Sequence, residues 1–119
     1  MPELNITKLE CIKKRDPIGK SEFDIYVSVD GGTEVFLSGP HLMDNSKNDD
    51  EVTLNDAKDF TDTIRIRLKE RDGDRGGSND LDLGVRYVHE DERHDTTYTV
   101  PFDSSNGGVV VNLSYKVTS

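Results

Sequence analysis

At 119 residues the chain has the length of one domain with a core of its own, and a division into two would leave neither half enough to bury. Charged residues make up 33% and the formal net charge is −9, which removes nucleic acid from the expected partners and sets an anionic membrane at a distance unless a cation intervenes. No apolar run approaches the roughly 18 residues of a membrane span, and Met1-Pro2-Glu3 opens straight into a strand-like segment, so a soluble chain without a signal peptide is expected. Export would require a signal that is not in this sequence or is of another kind. Cys11 is the only cysteine, which excludes an internal disulfide, and its setting is that of a small buried strand residue.

The hydrophobic pattern is that of strands from one end to the other. Leu4 to Ile12 reads as the first. Phe23, Ile25, Val27 and Val29 then alternate with Asp24, Tyr26, Ser28 and Asp30 ahead of Gly31-Gly32, the pattern of a strand buried on one face and ending in a tight turn, with Thr33 to Leu37 as its hairpin partner. Glu51 to Leu54 is a short strand, and Asn55 to Thr61 carries the one hint of a helical turn. Ile64, Ile66 and Leu68 alternate with Arg65, Arg67 and Lys69 and deliver the chain to Asp72; Leu81, Leu83, Val85 and Tyr87 carry it out again. After Thr96 to Phe102 comes the clearest strand, in which Val109, Val111, Leu113, Tyr115 and Val117 share a face. The sum is an all-β fold, an eight-stranded antiparallel β-sandwich in a single domain over residues 1–119.

Between these strands lie acidic loops. The stretch Asp72-Gly-Asp74-Arg-Gly-Gly-Ser-Asn79-Asp80-Leu-Asp82-Leu-Gly84 combines carboxylates with loop glycines, and a second acidic segment runs from Asp16 through Glu22 to Asp24. Calcium takes roughly six to eight oxygens at about 2.3–2.6 Å, a shell that such flexible, oxygen-rich loops can supply. In a sandwich whose strands each cross the domain, the connections after the first, third, fifth and seventh strands share one end, and both acidic stretches lie there, with Asp44, Asp49, Asp50 and Asp103 completing the set. Carboxylates gathered at one apex repel one another, and a bound cation is the simplest relief.

The segment Asp16-Pro-Ile-Gly19-Lys-Ser21, followed by Asp24-Ile-Tyr26-Val27-Ser-Val29, resembles the first calcium loop of C2 domains, and Asp72, Asp74 and Asp80 are similar in spacing to their third, with Leu83-Gly84 behind. Strand count and loop positions resemble the circularly permuted C2 topology, in a bacterial-type module. The resemblance implies a C2-like calcium-binding β-sandwich whose metal ligands come from Asp16, Glu22, Asp24, Asp72, Asp74, Asp80 and Asp82, with Ca2+ as the cofactor. The chain departs from the family pattern at three points. Asp24 lies two residues further from Asp16 than usual, which implies either Glu22 as the ligand in its place or a two-residue insertion in the loop; Ile25 stands where the family has proline; and Asp82 is an additional, unassigned acid.

Other motifs fit worse. An EF-hand begun at Asp72 would need an oxygen ligand where Gly76 stands and a bidentate Glu where Leu83 stands, and a glycine-rich calcium solenoid would need several repeats in place of one. Catalysis has little support: His89 and His94 flank a polar turn without zinc-pair spacing, His41 reads as a surface residue, and Ser21, Ser38 and Ser78 have no nucleophile elbow or legible base. The row Arg65, Arg67 and Lys69 reads as a solvated sheet surface. Two classes of function follow: a non-enzymatic calcium-binding module whose apex meets a protein, carbohydrate or lipid partner, and a structural or adhesion-type sandwich whose acidic apex only solvates. For membrane contact the loop tips offer Ile18, Leu42 and Met43.

Overall fold

Alternating apolar residues leave a strand with one face to bury, and a two-layer stack of sheets is the closed solution. The computed structural model of the chain takes that form; it describes residues 1–13, 21–44, 50–71, 80–92, 96–104 and 108–118. Among the described residues eight strands are present: β1 (Glu3–Lys13), β2 (Ser21–Val29), β3 (Val35–Met43), β4 (Glu51–Asp59), β5 (Thr63–Glu70), β6 (Leu81–His89), β7 (Tyr98–Asp103) and β8 (Val110–Thr118). They form two four-stranded sheets, β4-β1-β8-β7 and β3-β2-β5-β6, with every pairing antiparallel. Among the described residues no helix is long and apolar enough to cross a membrane.

The core lies between the sheets. From one sheet come Leu4, Ile6, Leu9, Val111, Leu113, Tyr115 and Val117, and from the other Phe23, Ile25, Val27, Ile64, Ile66 and Leu68, all buried. Each such aliphatic or aromatic side chain contributes about 1.5–3 kcal/mol on leaving water, enough in sum to set which face of every strand turns inward. The alternation expected for residues 23–29, 64–68 and 109–117 is therefore the one observed.

Three local readings need correction. Asn55 to Thr61 does not form a helical turn: β4 continues to Asp59 and pairs with β1 from Glu3↔Asp59 to Glu10↔Glu51. As an edge strand β4 has only Val52 and Leu54 packed against the core, so its polar second half carries no legible period. In β6 the side-chain phase reverses at Gly84, whose φ is +100°, where the β5–β6 register shifts between Arg67 and Lys69. Leu83 stays buried, but Val85 and Tyr87 turn to solvent and Val88 takes the inner position. Met43, expected at a loop tip, is wholly buried at the end of β3, whereas Leu42 is exposed.

Both open sides of the sandwich are closed by polar groups. Between the edge strands β3 and β4, the Ser38 hydroxyl donates to Asp56 Oδ2 and lies 2.9 Å from His41 Nε2. Between β6 and β7, Arg86 donates to the Tyr115 hydroxyl (Nη2 3.2 Å), and that hydroxyl donates to Glu92 Oε1 (2.7 Å) in the short 3-10 turn Glu90–Glu92. Tyr98 stacks on Tyr115 with ring centroids 5.4 Å apart.

Candidate metal-binding apex

The pairings bring one set of strand ends together. Lys13 pairs with Val110, Ser21 with Met43, Glu10 with Glu51, Glu70 with Leu81 and Asp103 with Val110, so the segments after β1, β3, β5 and β7 leave the sandwich at the same end. The connections expected to carry the acids therefore share an apex, as strand counting requires. Asp16, Asp72 and Asp74, together with Ile18, lie outside the described residues.

The described acids of the expected ligand set share the outer face of the β3-β2-β5-β6 sheet. Phe23 pairs with Glu70 and Glu70 with Leu81, which carries Glu22, Arg71 and Asp80 side by side across β2, β5 and β6; Asp24, Lys69 and Asp82 form the next row inward. Strand β5 thus runs the cations Arg65, Arg67 and Lys69 between flanking acids, with Arg71 directly after its end.

Each of these acids has a particular setting. Asp24 is wholly excluded from solvent, although alternation assigns it to the outer face. Its two oxygens accept from Arg71, Oδ2 from Nε at 3.0 Å and Oδ1 from Nη2 at 2.8 Å. The Arg71 guanidinium is held further into its charged range chiefly by that hydrogen bond to Asp24, with the Asp24 and Glu22 charges adding. Room for the carboxylate comes from Gly39: a Cβ there would overlap Asp24 Oδ1 and come within 2.9 Å of the Phe23 carbonyl oxygen. The Glu22 carbonyl accepts the Arg71 N–H at 2.7 Å, which fastens the start of β2 to the end of β5. Asp82 is exposed, pairs with Arg67 Nη1 and accepts the Gly84 N–H at 2.9 Å. Glu34 accepts from both Arg65 (3.0 Å) and Arg67 (2.9 Å), so the basic row on β5 is largely neutralised from within the sheet.

Among the described residues no three His, Cys, Asp or Glu side chains gather closely enough to hold a metal ion. As oxygen donors the acids suit calcium chemically, yet Asp24 and Asp82 are already engaged by guanidinium groups. Arg71 and Glu34, which do the engaging and the neutralising, stand out in no motif. The available signal is that Arg71 continues the alternating row of Arg65, Arg67 and Lys69 to the residue just before Asp72.

His41 is not a surface residue. Its ring is mostly covered, and burial lowers its pKa despite the opposing fields of Asp56 and Asp24. The Ser38, His41 and Asp56 side chains are near one another, but the hydroxyl proton goes to Asp56, so the imidazole Nε2–H donates to Ser38 rather than accepting from it. A nucleophilic serine needs the reverse, with the imidazole taking the proton and the carboxylate behind it. The cluster is a clasp between sheets.

Comparison with solved structures defines the class of fold: it is C2-like. The chain is similar to a structure described as a C2 domain, with TM-score 0.52 and 12% identity over 99% of this chain and 97% of that one. It is also similar to a C2 domain of plant extended synaptotagmin 1 (TM-score 0.58, 9% identity, 98% and 92% of the two chains). Human GIVD cytosolic phospholipase A2 matches with TM-score 0.56 and 8% identity over 99% of this chain, which corresponds to 16% of the phospholipase. No protein-family model matches the sequence, and no curated protein does.

Proposed function

We propose that the chain is a non-enzymatic C2-like module that binds calcium at its acidic apex and uses the ordered apex to meet a protein, carbohydrate or lipid partner. The observation that carries this reading is topological. The connections after β1, β3 and β5 bring Asp16, Asp44, Asp49, Asp50, Asp72, Asp74 and Asp80 to one end of a C2-like sandwich, with Asp103 at the end of β7 beside them, and these charges repel unless a cation joins them. Asp16, Asp72, Asp74 and Asp80 are the proposed principal ligands, with Glu22 beside them; Asp24 and Asp82 belong to the set only to the extent that Arg71 and Arg67 release them. Bound calcium would supply a positive charge and a coordination sphere that hold the loops in one arrangement; exposed Leu42 on the neighbouring end of β3 offers an apolar contact to whatever docks there.

The second reading, a structural or adhesion-type sandwich with a solvating apex, draws its support from the internal pairing of Asp24 and Asp82 with arginines. Calorimetric titration of calcium into chelator-stripped protein, paired with thermal unfolding, separates the two. Calcium at a hundredfold excess over its dissociation constant should stabilise the fold by about 2.7 kcal/mol, roughly ten degrees for a domain of this size. No binding heat and an unchanged melting temperature in millimolar calcium would leave the second reading in place.

A further inference from the structure

Arg71 is the residue at the apex whose placement asks for a function. A guanidinium that spans both oxygens of a fully buried carboxylate, with the charge of Glu22 also acting on it, stands where a cation is held against that carboxylate. The position is built for a cation: Gly39 gives up its side chain so that the Asp24 carboxylate can sit there, and the backbone bond from Arg71 N–H to the Glu22 carbonyl holds the arginine at the mouth of the site. Yet Arg71 retains 15% of its side-chain area in solvent, whereas Asp24 has none, so the arginine is the partner with a way out.

We infer that Arg71 is a tethered cation that competes with calcium for Asp24, and so sets the calcium affinity of the apex by intramolecular exchange. The inference rests on the calcium reading above. While the guanidinium holds the carboxylate, the apex lacks one ligand, and the apparent dissociation constant is the intrinsic one divided by the fraction of molecules in which Asp24 is released. Calcium carries twice the charge and binds several carboxylate oxygens at once, so it displaces the guanidinium at sufficient concentration. The arrangement keeps the apex assembled without metal and weakens metal binding at the same time.

The test is calcium titration of the parent, Arg71→Gln and the double variant Asp24→Asn/Arg71→Gln by calorimetry, with melting temperatures in chelator and in calcium. Arg71→Gln should bind calcium at least tenfold more tightly, melt lower than the parent in chelator, and recover most of that loss when calcium is added. The double variant should lose the gain, because the gain runs through the Asp24 carboxylate. Arg71→Lys, which keeps a charge but not the two-pronged contact, should fall between parent and Arg71→Gln, and it serves if the glutamine variant does not fold. Calcium binding by the parent with no gain in Arg71→Gln overturns this inference and leaves the calcium reading intact. A gain that persists in the double variant also overturns it, since removal of a positive charge is then the whole effect. Absence of calcium binding in parent and Arg71→Gln alike overturns both readings, whereas binding that emerges only in Arg71→Gln supports the competition.

Discussion

Gly39 shows how a single missing side chain can decide the state of a charge on the neighbouring strand. Its φ of +138° lies in a region that residues with a Cβ rarely enter, and the space a Cβ would fill belongs to the Asp24 carboxylate. Gly39→Ala should therefore cost about 2 kcal/mol or more, from backbone strain together with displacement of a buried ion pair. Chemical denaturation of the variant checks this, and a loss of only a few tenths would mean that β3 shifts freely. The same site marks a limit of reading by alternation. Alternation places Asp24 correctly on the outer face, but outer does not mean exposed: the bulged β3 neighbour and Arg71 enclose it. Two-residue periodicity reports which way a side chain points, not what comes to lie over it. Asp30 illustrates the converse, since its position next to a turn is evident from the sequence while its role is not. At φ +50° it accepts the backbone N–H groups of Thr61, Asp62 and Thr63, tying two turns together at the end opposite the apex.

At the scale of elements, strands with a regular polar–apolar alternation are legible because one face packs on the core from end to end, as in β2, β5 and β8. Edge strands are not, for two different physical reasons. The second half of β4 has little to bury, and β6 changes phase at Gly84, after which Arg86 rather than Val85 or Tyr87 turns inward. Arg86 keeps part of its side chain in solvent while its guanidinium reaches the Tyr115 hydroxyl and Glu92. That clasp makes a prediction in alkali. Burial, with the hydrogen bond to Glu92 next, pushes the Tyr115 hydroxyl up to about 12. A folded pKa raised above its ordinary value means that the stability it brings is complete below about 10 and lost as pH rises through about 12. Tyr115→Phe should be less stable at neutral pH by about 1–3 kcal/mol, because Arg86 and Glu92 lose their bridge. Between pH 10 and 12 its stability should fall less steeply than the parent's, so the two denaturation curves should draw together. Parallel curves across that interval would show that the Tyr115 proton takes no part in alkaline unfolding.

At the scale of the whole molecule, a net charge of −9 raises the question of whether any cation would do. Diffuse self-repulsion and a coordinated ion both make added cations stabilising, but they differ in how they depend on the ion. Screening follows ionic strength, so sodium, magnesium and calcium at equal ionic strength should act alike. Coordination follows size and hydration: magnesium demands near-octahedral geometry at about 2.0–2.1 Å and sheds water reluctantly, which makes it a poorer match than calcium for carboxylates drawn from separate connections. Calcium should therefore raise the melting temperature well beyond magnesium at the same ionic strength. Asp74→Asn locates the effect, since Asp74 lies between Gly73 and Arg75 in the connection from β5 to β6 and the change keeps its shape while removing one charged oxygen ligand. The variant should lose calcium stabilisation sharply while its chelated form is at least as stable as the chelated parent, because one repelling charge has gone. Equal responses to the three salts, with Asp74→Asn tracking the parent in each, would reduce the apex to a screened acidic surface.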